Sequence, residues 1–370
     1  MSLNLTIRVA VVGTGFGQSI HIPGLQNHPR TEVIAVYNRD LEKTKEIAHS
    51  HQIAYAFDSL EKLLSLPELD AVSLSTPPFL HYQMGMEILN ARKHLLLEKP
   101  MAMSAQQTRE LYHLARKKNV IVTTDFEFRY VPAWQLFAQY LQQGYVGEIR
   151  LIKIDWLVAS RANPERAWNW YSRRDQGGGV LGAVGSHAFD YIHWLFGPVK
   201  RLSAQINCAI KQRPDPQENG KLKPVDADDT CLLILELADG TPCQACFSSV
   251  TYNGRGHWVE VYGDRGTLIL GSNNLKDYIH GFNLQGAPAG KALTNIEIPK
   301  DLAFPQVFQD GRLAPFIRVV DRWVESIDQG QSLVPSLYEG VYSQLLMDLT
   351  HESNDNQCWV NVPNLDLFLA

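Results

Sequence analysis

Cysteine is scarce, with five in 370 residues. That is too few for a disulfide scaffold, and the odd number leaves at least one thiol unpaired within the chain; a reducing, cytoplasmic setting is expected. Cys243-Gln-Ala-Cys246 falls in a strand pattern. Residues three apart on a strand point to opposite faces, so free thiols are expected there, not zinc. No apolar run of about 18 residues is present, which argues against a helical membrane span. No basic segment followed by an apolar run opens the chain, so no signal peptide is expected. Positive charge is not in excess: 34 basic residues face 39 acidic ones, for a net charge of −5. Such a balance creates no field that draws a polyanion, so nucleic acid is not an expected partner. Gly-x-Ser-x-Gly is absent, which leaves a hydrolase nucleophile without support. The histidines, His49 and His51 included, lack metal-ligand spacing. Asp226, Asp228 and Asp229 lack the spacing of a calcium loop and read as a solvated loop. No metal is expected.

The composition is that of a globular chain, 45% hydrophobic and 20% charged. The length predicts two or three domains. Up to about residue 125, apolar strands (7–12, 33–37, 71–75, 94–97, 120–124) alternate with helical patterns. Continuously apolar strands separated by helices argue a parallel sheet covered on both faces, hence a doubly wound domain over 1–125. From 126 the rhythm changes. Strands over 148–158, 199–210, 231–237, 242–252, 258–263 and 267–270 are joined by Ala238-Asp239-Gly240 and Gly263-Asp264-Arg265-Gly266, which are hairpin turn signals. An open, mainly antiparallel sheet is expected in a second α/β domain over 126–370, with a last helix that packs back on the first domain. Segments 211–228 and 278–305 read as loops, and helices are predicted over 181–196, 315–329 and 336–351.

The first strand ends in Gly13-Thr14-Gly15-Phe16-Gly17. Small residues here let the backbone approach a pyrophosphate, whose charge then rests on helix N–H groups. The third glycine stands at 17, one place earlier than G-x-G-x-x-G requires, where Gln18 is found. At the end of the second strand Asn38-Arg39 replaces the carboxylate that would take the ribose hydroxyls, which leans the reading to NADP over NAD. The same residues also suit a turn with Asp40 as the cap of the next helix. Thr76-Pro77-Pro78 and Glu98-Lys99-Pro100 follow two further strands, where ligands of open α/β sheets lie. The proline restrains Lys99, whose ammonium beside an oxidised nicotinamide is suited to proton exchange.

With Ser75, Thr76, Pro77 and His81, with Glu98-Lys99-Pro100, and with Arg129, Pro132, Gly177-Gly178-Gly179, Gly185, His187 and Asp190, the chain resembles the Gfo/Idh/MocA oxidoreductases over nearly its whole length. The resemblance implies a Rossmann domain followed by an α/β domain whose open sheet often serves subunit contacts, hence a homodimer or homotetramer. It implies pyridine-nucleotide oxidoreduction of a sugar, polyol or related compound, with Lys99 and His187 catalytic. Coenzyme contacts fall to Gly13, Thr14, Gly15, Phe16, Gly17, Asn38, Arg39, Ser75, Thr76, Pro77, His81, Glu98 and Lys99, and substrate contacts to Glu127, Arg129, Trp168 and Asp190. Many members carry an aspartate four residues before the histidine, where this chain has Ala183. Asp190, one turn further on, is expected to substitute in part. Ala183 also keeps open a nucleotide-sensing regulator without turnover, and some relatives perform redox-neutral glycoside cleavage. The loop 161–176, with its arginines and aromatics, reads as a lid or sugar-binding loop, or as a packing loop between subunits.

Overall fold

A computed structural model describes residues 6–275 and 277–370. The opening residues bearing on a signal peptide, 1–5, lie outside it. Among the described residues no helix is long and apolar enough to cross a membrane. The chain divides into two compact units, one of residues 1–127 with 312–344 and one of 128–311 with 345–370. The first unit thus takes up a late stretch that a division at 125 assigns to the second domain.

In the first unit, strands β1 (Ile7–Val12), β2 (Thr31–Tyr37), β3 (Tyr55–Phe57), β4 (Ala71–Leu74), β5 (His94–Leu97) and β6 (Val122–Thr124) form one parallel sheet in the order β3-β2-β1-β4-β5-β6. Val9, Val11, Val72, Leu74, Leu95 and Leu97 are wholly buried. Each such side chain contributes about 1.5–3 kcal/mol by leaving water. Helices α1 (Ile22–Asn27), α2 (Leu41–Ser50), α3 (Leu60–Leu64), α4 (Pro78–Asn90) and α5 (Ala105–Lys118) connect the strands. Their starts follow capping chemistry: Asp40 accepts from the Lys43 amide at 3.2 Å and Ser104 from the Gln107 amide at 3.3 Å. The strand order reverses between β1 and β4, the switch point at which doubly wound sheets open a ligand crevice.

The second unit holds a nine-stranded sheet. Its strands are β7 (Ile149–Leu157), β8 (Val199–Asn207), β11 (Thr230–Leu237), β12 (Pro242–Ser248), β13 (Gly256–Gly263), β14 (Gly266–Ser272), β15 (Asn283–Pro288), β16 (Thr294–Ile296) and β17 (Val360–Asn361), while β9 (Gln212–Asp215) and β10 (Lys221–Pro224) pair separately. All pairs are antiparallel except β7 with β12. Two expected loops therefore contain strands: 211–228 forms the β9–β10 hairpin, and 278–305 adds β15 and β16 to the sheet edge. Both were hidden because their short, polar sequences lack apolar alternation, and backbone pairing alone defines them. On β11, Cys231, Leu233, Leu235 and Leu237 are buried while Leu232 and Ile234 are exposed, as the period of two requires. All five cysteines are free thiols.

Candidate functional site

The glycine turn after β1 is shaped by contacts with the end of β4. Gly13 has φ +105°, and a Cβ there would meet the Ser75 carbonyl at 2.7 Å. A Cβ on Gly17 would strike the Ser75 hydroxyl and press on Val11. Gly17 thus gives the close helix–strand approach one position early, and the helix absorbs the offset by winding residues Gly17–His21 as a π turn before α1. At Gly15 an added Cβ meets nothing within 4 Å. Two glycines are consumed by packing while the middle one faces open space. A diphosphate approaching the backbone needs that opening, so the turn fits the coenzyme its sequence implies.

Around this turn the side chains are tied down. Asn38 donates to the Thr14 hydroxyl at 2.5 Å and accepts from the Asp40 amide at 3.0 Å, so it serves the turn and cap geometry as well as the end of β2. Arg39 beside it is exposed. The Ser75 hydroxyl lies 3.3 Å from the carbonyls of Val12 and Gly13. Both ring nitrogens of buried His81 meet backbone carbonyls, of Pro100 at 2.8 Å and of Thr76 at 2.6 Å. His81 therefore clamps the Lys99-Pro100 turn to the end of β4. Burial pushes its pKa down despite these two acceptors.

Behind Lys99 lies a set of residues the motifs do not announce. His21 Nε2 is 2.9 Å from Glu98 Oε1, and its Nδ1 is 2.6 Å from the Ser73 hydroxyl. The other Glu98 oxygen accepts from the Lys99 amide at 3.1 Å. Asp125, just past β6, completes a buried group with His21 and Glu98 whose polar atoms lie within 4.8 Å of one another. His21 is packed between Phe16, at 5.6 Å between ring centroids, and Phe316, at 4.5 Å. Burial alone would raise the Glu98 carboxyl, but the hydrogen bond and field of His21, with Lys99 and Asp125, hold it below the usual carboxylate range. Asp125 moves the other way, raised by burial and by the charges of Glu98 and Glu127. His21 and Asp125 are 77 and 27 residues from Glu98 in the sequence, so no local pattern could join them.

In the second unit His187 sits near the start of α6 (Ser186–Phe196), which is preceded by a π turn over Leu181–Gly185. The ring is buried among aromatics: Phe128 meets it edge-on at 4.9 Å, and Trp156 faces it at 6.3 Å with the planes inclined by 29°. Trp156 also stacks at 3.9 Å on His257, whose Nε2 is 3.1 Å from the Tyr191 hydroxyl. Burial drives the His257 pKa well below the ordinary value. Ala183 lies within the π turn, where the i→i+5 winding displaces the ordinary i,i+4 relation to the histidine.

Arg129 grips Asp190 with two nitrogens, Nε to Oδ2 at 2.9 Å and Nη2 to Oδ1 at 2.7 Å, both side chains buried. Its guanidinium lies 5.5 Å over the Trp194 ring. Asp190 was expected to substitute in part for the carboxylate missing at 183; both of its oxygens accept from Arg129, because the fork of the guanidinium matches them in pairs. Glu127 is buried at the end of the first unit.

The expected lid, 161–176, is pinned. Buried Arg213 donates to the carbonyls of Arg161 and Asn163 at 2.6 and 2.7 Å, and Trp168 Nε1 donates to the Pro224 carbonyl at 2.9 Å. Arg161 lies 3.8 Å over the Tyr171 ring, and Lys223 4.8 Å over Trp168. The β9–β10 hairpin, unseen in the sequence, supplies these anchors. The aspartates 228 and 229 are likewise not solvated. Asp228 accepts from the Leu181 amide at 2.7 Å, and Asp229 from the amides of Ala209 and Ile210 at 2.7 and 3.0 Å. Each replaces water with orphan backbone donors. Burial, opposed by the amides of Leu181, Asp228 and Val180, brings Asp228 up to about 6.

Two family models match. One described as the NAD-binding Rossmann fold of the oxidoreductase family covers residues 7–126, and one described as its C-terminal alpha/beta domain covers 138–362. An uncharacterized oxidoreductase of Synechocystis sp. is 56% identical over 100% of this chain and 99% of its own length. Levoglucosan dehydrogenase of Pseudarthrobacter phenanthrenivorans is 23% identical over 91% of this chain and 90% of its own. A solved levoglucosan dehydrogenase, in complex with NADH and L-sorbose, superposes with a TM-score of 0.86 at 21% identity, covering 98% of this chain and all of that one. The parallel sheet with its open glycine turn, the mixed sheet that follows it, and these matches along nearly all its length show that the chain belongs to the Gfo/Idh/MocA oxidoreductase family and carries that family's NAD-binding Rossmann fold.

Proposed function

We propose that this protein is an NAD(P)-dependent dehydrogenase or reductase acting on a CH–OH group of a sugar, polyol or related compound. One observation carries the reading: the turn is open at Gly15 and sealed at Gly13 and Gly17, at the switch point of a parallel sheet, with Lys99 following β5. Gly13, Thr14, Gly15, Phe16 and Gly17 would hold the diphosphate, Asn38 and Arg39 the adenosine end, and Ser75, Thr76, Pro77 and Glu98 the stretch toward Lys99. His81 supports that stretch from behind. When bound, the nicotinamide supplies the hydride chemistry.

Lys99 takes the hydroxyl proton in oxidation and returns it in reduction. His187 is proposed as a second proton carrier. Its aromatic surround fixes the ring plane without a carboxylate four residues before it. Substrate contact is proposed for Glu127, for Trp168 on the pinned loop, and for Arg129 and Asp190, which hold each other in place.

With no carboxylate at position 38 to repel a 2′-phosphate, and with exposed Arg39 beside it, the coenzyme proposed is NADP in preference to NAD. Arg39→Ala then weakens NADP binding and leaves NAD binding unchanged in calorimetric titration. The outward face of the second sheet, with Leu232, Ile234 and Leu151 exposed, is proposed as the contact of a homodimer or homotetramer.

The main test follows nicotinamide absorbance over a panel of sugars and polyols. Turnover is expected, and Lys99→Ala should lower kcat by about 10²–10⁴ with coenzyme affinity kept, the usual share of general acid–base catalysis. Binding of the nucleotide without turnover on any compound would instead support a sensor.

A further inference from the structure

Glu98 and Asp125 are buried carboxyls in one pocket, 7% and 2% exposed. Two carboxylates at close range in a dry site do not both ionise. The donors decide which keeps the charge. Glu98 receives the His21 ring on Oε1 and the Lys99 amide on Oε2. Asp125 lies beside Glu98, within 4.8 Å between their polar atoms, and its Oδ1 is buried with no hydrogen-bond partner. A proton on the Asp125 oxygen that faces Glu98 turns a like-charge contact into an O–H donated to an ionised carboxylate, so it costs less there than on Glu98, which already has two donors. His21 fits the same assignment. An ionised Glu98 can only accept, so Nε2 carries hydrogen, and Nδ1 meets the Ser73 hydroxyl. A metal ion on these three side chains would have to displace that N–H from Glu98.

Lys99 depends on this group through its backbone. Its amide is bonded to Glu98, and Glu98 is held on the other side by His21, itself packed between Phe16 and Phe316. The charged and titratable groups that bear on Asp125 are Glu98 and Lys99 at the end of β5, Glu127 on its own segment, and His21 after the glycine turn. His81 on α4 acts on Glu98 and His21 in turn.

We propose that Asp125 and Glu98 share a single proton, residing on Asp125, and that with His21 they are positioning residues that set the backbone of Lys99. The proposal rests on the reading of Lys99 given above, but its first test does not need turnover.

Infrared difference spectroscopy of the full-length protein at pH 8 is expected to show the carbonyl stretch of a protonated carboxylic acid, sensitive to deuterium. At that pH Asp228, at about 6, is ionised and silent. The band is lost in Asp125→Asn and kept in Glu127→Gln. Absence of the band from the parent protein, or its survival in Asp125→Asn, overturns the shared proton. A band abolished by adding Zn²⁺ or Mg²⁺ makes the pocket a metal site and overturns it too.

The second arm is kinetic. Asp125→Ala is expected to lower kcat about tenfold with KM and coenzyme affinity held. Asp125→Asn, which restores a donor at the same place, rescues most of that loss. Equal losses in both variants overturn the positioning role. If no compound is turned over, the functional reading fails, while the infrared band still decides where the proton lies.

Discussion

The two units bury histidines by opposite means. In the first, His21 is satisfied by polar partners, Ser73 on one nitrogen and Glu98 on the other, and its pocket is a place where protons are held. In the second, His187 and His257 are enclosed by ring faces and edges, from Phe128, Trp156 and Tyr191. Near His187 on the same helix, Asp190 is matched oxygen for nitrogen by Arg129 in a buried ion pair. A hydrogen-bonded pocket fixes its members through charge and responds to pH. An aromatic pocket fixes them through shape and stacking, each favourable ring pair adding about 0.5–1.5 kcal/mol beyond burial.

The contrast can be broken first at its strongest point. Asp190→Ala removes the counterion of a guanidinium that is itself buried, and should cost about 3–5 kcal/mol in urea unfolding. A loss under about 1 kcal/mol would mean that the pair contributes no more than a surface one.

The next effect concerns pH. Asp228 sits at about 6 in the folded chain against an ordinary 3.8. A raised acid contributes stability that is full below about pH 4 and lost as pH climbs through 6. The difference amounts to about 3 kcal/mol, at about 1.4 kcal/mol per tenfold change in proton affinity. Asp228→Asn should therefore gain on the parent protein in thermal unfolding as pH rises from 4 to 8. Parallel curves would refute the assignment.

The smallest expected effect is at the polar pocket. His21→Ala takes one donor from a buried carboxylate that keeps the Lys99 amide and Asp125, and should cost about 1–3 kcal/mol. Its partial compensation would separate this pocket from the Arg129–Asp190 pair.

The glycine turn, the capping aspartate at 40, the switch-point prolines and the helix bearing His187 were legible because each is a local pattern whose chemistry lies within a few residues. The alternation of apolar strands and helices likewise foretold the parallel sheet. The hairpin that pins 161–176 was not legible, since Arg213 and Trp168 meet their carbonyl acceptors only once β9 and β10 have paired. The burial of Asp228 and Asp229 was missed for a related reason: an aspartate in a polar stretch looks solvated until the amides it serves, 19 to 47 residues away, are brought to it.

Sequence alone determined the first fold, the glycine turn after β1 and the placing of Lys99 after a strand, because backbone sterics and hydrophobic periodicity act over short range. Tertiary structure decided which carboxyl meets which donor. Ionisation depends on distances of a few ångströms between groups far apart in the chain, and only folding sets those distances: His21 and Asp125 reach Glu98, and Asp190 reaches Arg129, through packing that no local pattern encodes.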